Sequence, residues 1–169
     1  MDTGGAGKHR GGNGVEKIYL LLEDGDISIH DDRHQSQPWG ILGGRPGACS
    51  EKILVRKDGT RQALPSKVDN VRVRAGDRVV FRTAGGGGWG DPLERDVKRT
   101  RDDVARRLLS ETKARTEYGV VLAGSGLDIE RRATEELRDS MRRNRKTPKL
   151  FDFGERKENA SATRAAHAG

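Results

Sequence analysis

The 169-residue chain reads as an α+β protein: an N-terminal antiparallel β unit with glycine-rich loops, a small C-terminal helical region and a disordered tail. Three features predict this. Short runs of branched and aromatic residues, separated by Asp-Gly and Ala-Gly-Asp turns, fill residues 15 to 83. The stretch Ala84 to Pro92 (AGGGGWGDP) interrupts regular structure. Beyond it, apolar residues recur at helical spacing. Composition thus divides the chain into 1–92, 93–149 and 150–169.

Six glycines in the first fourteen residues make that segment a loop, because glycine loses the most backbone entropy on ordering. Val15 to Leu22 and Ile27 to His30 read as a hairpin around Asp24-Gly25. PWGILGGRPG, residues 38 to 47, is an ordered irregular loop. Further strands are expected at Lys52 to Arg56, Val71 to Arg74 and Arg78 to Thr83, with Ala75-Gly76-Asp77 as the turn between the last two.

In the helical region, Asp96 caps a helix whose Val97, Val104, Leu108 and Leu109 share a face. Ser110 caps a second, pairing Ala114 with Tyr118, and Gly119 ends it. After a small strand at Val120 to Leu122, Asp128 opens a longer helix carrying Ile129, Ala133, Leu137 and Met141, stopped by Pro148. From 150 onward, and from Glu155 to Gly169 above all, too little can be buried to offset ordering at about 1–2 kcal/mol per residue.

Composition narrows the function classes. Apolar residues make up 32% and charged residues 35% of the chain, and mean hydropathy is −0.84, which suits a chain that packs against something larger. No apolar run approaches a membrane span, and the N-terminus lacks an apolar signal core, so a cytoplasmic protein is expected. One cysteine, Cys49, allows no intrachain disulfide and no thiolate zinc cluster, and without a neighbouring histidine or helix start it is read as inert. The net charge of +7 is densest between Arg131 and Lys149, but Glu135, Glu136 and Asp139 interleave there without stacking aromatics. That pattern is a solvated helix face in preference to a nucleic-acid surface.

Several segments could carry chemistry. GGAGK at 4–8 lacks the P-loop spacing and its Ser or Thr, and Gly85, Gly87 and Gly90 meet GxGxxG spacing without a βαβ context. The loop Gly85, Gly86, Gly87, Gly88, Trp89, Gly90 has two accounts: backbone N–H groups presented to a ligand or partner, or a tight crossing beneath Trp89. Lys8, His9 and Arg10, and separately Arg45, could hold a phosphate or carboxylate from glycine-flanked loops, or be solvated cations. His30, Asp32 and His34, with Asp31, are ligand types for zinc, iron or manganese, or a polar surface turn; no metal site is assigned to them.

Taken together, GGAGKHRGG (4–12), PWGILGGRPG (38–47), LPSK (64–67), AGDRVVFRTAGGGGWGDPLERD (75–96) and YGVVL (118–122) resemble, in order and spacing, the hydantoinase B family. The resemblance covers about residues 3 to 145. It implies kinship with the B chains of ATP-dependent N-methylhydantoinases, the matching half of 5-oxoprolinases and the large subunit of acetone carboxylase-type enzymes. ATP, a divalent metal and a hydantoinase A-type partner are implied for the whole complex, with ATP-driven opening of a cyclic amide or carboxylation of a ketone as the reaction. Family chains run to several hundred residues, and their Asn-Asp-Pro-type metal motifs are not in this sequence. The expectation is therefore a C-terminal portion, whether split subunit or truncated gene product, that needs the N-terminal part of such a chain. Carried over is only a contribution to the site's walls, through Lys8, His9, Arg10, Arg45 and Gly85 to Gly90. The alternative is a non-catalytic assembly module. Cys49 stands where relatives often have proline or glycine, a departure bearing on loop shape.

Overall fold

The computed structural model describes residues 1–124, 127–145 and 147–156, and its fold is α+β. The elements run β1 (Glu16–Leu20), β2 (Gly25–His30), β3 (Gly40–Ile41), β4 (Glu51–Val55), β5 (Arg61–Leu64), β6 (Lys67–Val73) and β7 (Arg78–Arg82). A single 3-10 turn at Pro92–Glu94 leads to helices α1 (Val97–Ala105) and α2 (Glu111–Tyr118). Strands β8 (Leu122–Ala123) and β9 (Asp128–Ile129), helix α3 (Arg131–Asn144) and strand β10 (Phe151–Asp152) follow.

Four strands form an antiparallel sheet in the order β1-β7-β4-β5, and β2 pairs with β6 in a separate ribbon. Between the two lies a core of Ile29, Leu54, Leu64, Val73 and Val79. Central β4 is buried on both faces: Ile53 and Val55 pack with Val80 on the far side.

The expected hairpin between β1 and β2 does not form. Neither Asp24 nor Gly25 takes the positive φ that a tight hairpin turn requires. Asp24 instead accepts the Ala75 N–H, and the Leu21 N–H donates to Asp77 O, which ties the connection to the corner between β6 and β7. The two strands diverge into different sheets, and Ile29 of β2 reaches the core. At Asp58-Gly59 the same dipeptide does turn the chain, with Gly59 at φ +91°, and joins β4 to β5, a polar strand without the alternation that marks strands in sequence. Ala75-Gly76-Asp77 turns as expected, with Gly76 at φ +92°, yet β6 and β7 lie in different sheets. Buried Asp77 holds this corner by accepting the Arg74 N–H, the Arg56 guanidinium and the Lys57 N–H, and these donors lower its carboxyl pKa.

The first two helices begin where their caps place them. Asp96 accepts from Lys98 and Arg99 N–H, and Ser110 accepts from Lys113 N–H. Gly119 closes α2 in the left-handed region. α1 ends at Ala105, before Leu108, and Asp128 lies in β9, so the longer helix starts at Arg131. Ala6 of the N-terminal loop joins Val104, Leu109, Ala114, Tyr118 and Val120 in one core, so loop and helices share their buried surface across residue 92.

Chain expected as tail is ordered as far as Arg156. Phe151 and Asp152 pair with Ile41 and Gly40, Ser36 bridges to Arg156, and Phe153 packs edge-on against Trp39. Backbone bonds hold the segment in place: the Leu42 and Gly43 N–H groups donate to Leu150 O and Lys149 O, and the Glu155 N–H donates to Gln37. The rest of that expectation, residues 157–169, lies outside the described residues.

One ion pair anchors the sheet to the loop after β2. The Lys52 ammonium, almost fully buried, meets Asp31, which also accepts from Ser50. Burial would raise the Asp31 carboxyl, but hydrogen bonds from Lys52 and Ser50 outweigh it and hold the pKa below its ordinary 3.8. Asp31→Asn should lower stability by about 1–3 kcal/mol at pH 7, less than for an enclosed pair because Asp31 keeps a quarter of its surface in water. A carboxyl with a depressed folded pKa stabilises fully above its unfolded pKa and loses that contribution as pH falls through the folded value. The variant should therefore show a shallower acid limb in urea titrations from pH 6 to 2; superimposable limbs would refute this.

Candidate functional site

Three glycine loops cross one another directly, backbone on backbone. The Gly5 N–H donates to Gly86 O at 2.8 Å, and the Gly86 N–H to Gly12 O at 2.8 Å. The Gly88 N–H meets Arg45 O at 2.9 Å, the Arg45 N–H meets Ala6 O at 2.7 Å, and the Ile41 N–H meets Gly88 O at 3.0 Å. His9 and Trp89 exchange a reciprocal pair of bonds, each 3.0 Å. At Gly85, Gly87 and Gly88 a Cβ would overlap the carbonyl oxygens of Thr3, Trp39 and Ala6 respectively. The close approach these glycines permit is to the chain's own backbone.

Of the two accounts of the loop, this geometry has the form of the tight crossing. The N–H groups of Gly85, Gly86, Gly88, Trp89 and Gly90 donate to Ala48, Gly12, Arg45, His9 and Ile41, so they do not form a phosphate cradle. ATP, implied by the resemblance, finds no fit in this loop.

The candidate cations fare differently from one another. Arg10 is withdrawn into the molecule: its Nε meets Asp103 at 3.2 Å and its Nη1 donates to Gly11 O and Asn13. Arg95 reaches the same Asp103 carboxylate at 2.8 Å and donates to Lys8 O, so one acid secures two arginines and the loop bearing Lys8. Buried Tyr118 lies beside this cluster, and burial pushes its hydroxyl up to about 12, so it stays protonated. Lys8 forms an exposed pair with Glu94 at 3.2 Å. His9 lies against Trp89 at 5.3 Å between ring centroids, both exposed. Arg45 is exposed, 3.5 Å from Asp152.

A cleft of about 440 Å³ opens beside the crossing, bordered by Gly43 and Gly44, the 3-10 turn and the ends of α2 and α3. Arg45, Asp91, Glu117, Arg145, Lys149 and Asp152 give it its charge, and Arg145 pairs with Asp91 at 2.6 Å. Of the residues singled out in the sequence, only Arg45 borders this cleft. Asp91, Glu117 and Arg145 carry no signal of a shared site in the sequence, because no local motif joins residues so far apart.

His30, Asp32 and His34 do not converge. His30 Nε2 lies 3.0 Å from Asp69, Asp31 is taken by Lys52 and Ser50, and Asp32 is exposed. Among the described residues no three His, Cys, Asp or Glu side chains are grouped to hold a metal. The divalent metal of the resemblance therefore has no ligand set among the described residues. The basic face of α3 is partly structural: Arg138 donates to Tyr118 O and Arg95 O, and burial lowers its pKa. No described helix is long and apolar enough to cross a membrane.

A small β unit stapled by crossed glycine loops, with a helical layer sharing its core, defines the class: a hydantoinase B-type module. The sequence profile described as hydantoinase B/oxoprolinase matches residues 1–92, and the chain belongs to that family. An uncharacterized protein of Methanocaldococcus jannaschii is 39% identical over 81% of this chain and 24% of its own length. Caprolactamase subunit beta of Pseudomonas jessenii is 31% identical over 74% of this chain and 22% of its own length. The crystal structure of the ATP-dependent caprolactamase from the same organism matches at TM-score 0.69, with 29% identity over 82% of this chain and 24% of that one. A nucleotide-free acetone carboxylase structure shares the fold at TM-score 0.69 and 23% identity, over 85% of this chain and 24% of that one. The chain thus spans about a quarter of the length of these relatives.

Two variants test the crossing. Gly87→Ala should cost more than about 2 kcal/mol because backbone must move to admit a methyl group. Gly86→Ala should cost much less, since the atom nearest its added methyl group, Gly12 N at 3.2 Å, must give by only a few tenths of an ångström and the position is exposed. Equal urea midpoints for the two would overturn the assignment. Asp103→Ala should destabilise by about 2–4 kcal/mol, leaving Arg10 and Arg95 buried without a counter-charge; a midpoint matching that of the unaltered protein would count against it.

Proposed function

We propose that this chain forms the C-terminal portion of a hydantoinase B-like subunit in an ATP-dependent enzyme that opens a cyclic amide. Carboxylation of a ketone is the less favoured chemistry, since the acetone carboxylase likeness supports the fold alone. One observation carries the reading: the match to an ATP-dependent caprolactamase extends over 82% of this chain at 29% identity. In this reading the chain works in the cytoplasm with the N-terminal part of such a chain and a hydantoinase A-type partner, and is inactive alone. ATP and any divalent metal are held by those companions.

The chain's own contribution is a stiff wall. The crossed loops fix Trp89 and His9 at the surface and set Arg45 at the rim of the cleft, where a substrate carbonyl or an anionic group could be oriented. Arg10 acts from inside, by holding the loop through Asp103. The rival reading, a non-catalytic assembly module, is favoured by the loop N–H groups being consumed internally.

The test is complementation. Caprolactamase subunit beta is truncated to remove the region this chain matches, mixed with its companion subunit, and assayed for ATP-dependent caprolactam hydrolysis with and without this chain. Restored turnover that Arg45→Ala cuts tenfold or more supports the catalytic wall. Restored turnover indifferent to Arg45, His9 and Trp89 supports the assembly reading. A complex that forms yet stays inactive, or no complex at all, overturns the proposal.

A further inference from the structure

Strand β1 ends the four-stranded sheet, and nothing among the described residues pairs with its outer side. The hydrogen bonds flanking it show which backbone groups are open. The Thr83 N–H donates to Val15 O and the Leu21 N–H donates to Asp77 O, both at 2.9 Å. The register sets Lys17 opposite Phe81 and Tyr19 opposite Val79. In an antiparallel pair, residues that bond inward alternate with residues whose N–H and C=O point away. Residues 15, 17, 19 and 21 therefore bond toward β7, and Glu16, Ile18 and Leu20 present their backbone groups outward.

The side chains on this edge are unusual for one left to solvent. Val15, Ile18, Tyr19, Leu20 and Leu22 are all more than half exposed, Ile18 at 58% and Leu22 at 80%. Strand edges left in water are normally guarded by charge, proline or bulges. The opposite edge, β5, carries Arg61 and Gln62, and exposed positions of β6 carry Lys67, Asp69 and Arg72, with a bulge against β2. On β1 the charges sit only at its start, and Glu16 is neutralised by Arg82 at 2.7 Å.

We infer that β1 is a docking edge that accepts an extended segment from the remaining three quarters of a hydantoinase B-like chain, which continues the sheet by pairing with Glu16, Ile18 and Leu20. The inference rests on the proposed function. The occupant follows from proportion: this chain spans 24% of the caprolactamase chain whose fold it shares, and the uncovered edge is apolar as an internal boundary of a larger protein is. The incoming strand needs apolar residues against Ile18 and Leu20 on one face and an acidic or aromatic residue against Lys17 and Tyr19 on the other. Strand addition is held mainly by backbone hydrogen bonds, so a partner of divergent sequence suffices as a probe.

The probe is the truncated caprolactamase subunit beta described above, and the readout is amide exchange by NMR on the 169-residue chain. In the isolated chain Ile18 and Leu20 amides should exchange fast while Lys17 and Tyr19 are protected; on adding the probe, Ile18 and Leu20 should slow at least tenfold. Ile18→Pro removes an outward N–H and an apolar side chain without breaking a bond to β7, and should raise Kd at least tenfold. Leu20→Lys, which leaves the backbone intact, should weaken binding in the same direction. A complex forming without protection at Ile18 and Leu20 overturns the inference and leaves the proposed function standing. Protection rising with the chain's own concentration, without probe, assigns the edge to a second copy and overturns the occupant. Absence of any complex overturns both proposals.

Discussion

Backbone lying on backbone is the constraint from which this molecule is built. Where the loops around Gly5, Gly44 and Gly88 meet, carbonyl oxygens occupy the space a Cβ would need, and no rotamer change could relieve the overlap. Such contact strands polar groups unless they bond each other, and here they do, through a lattice of N–H to carbonyl bonds among three segments distant in sequence. A glycine-rich chain with few aromatics thereby gains rigidity that its modest apolar content could not supply. The crossing also fixes everything attached to it: β3 and β10 on one side, the reciprocal His9–Trp89 pair on another, and Ala6 in the helical core.

Charge is arranged to serve that crossing. Arg10, Arg95 and Arg138 tie loop, turn and helices together by donating to Asp103 and to main-chain carbonyls. Asp31 and Asp77 do the same for the β unit, one against Lys52, the other at the corner between sheets. Several guanidinium groups of this basic chain are thus spent inside, on its own carboxylates and carbonyls.

Among the described residues the crossing leaves at the surface a cleft beside it, exposed polar and aromatic side chains at its rim, and an apolar strand edge. A site completed by further chain would use a module of this kind, stiff where it meets substrate and unfinished where it meets its companions. The family match and the fraction of the relatives spanned are consistent with that division of labour.

The sequence by itself determined the local rules: caps at Asp96 and Ser110, the left-handed stop at Gly119, the turns at Gly59 and Gly76, the fold class, and through its motifs the family. Each is set by backbone conformation or by spacing within a few residues. Only the tertiary structure decided which strands pair, because Asp24-Gly25 has the chemistry of a turn but the Asp24 carboxylate is taken by the Ala75 N–H at the corner between β6 and β7. It alone withdrew Arg10 to Asp103, closed the glycine N–H groups on the chain's own carbonyls, drew residues 150–156 onto β3 and brought Asp91, Glu117 and Arg145 to one cleft. Those outcomes depend on which distant groups compete for the same donor, acceptor or patch of apolar surface, and spacing along the chain does not carry that information.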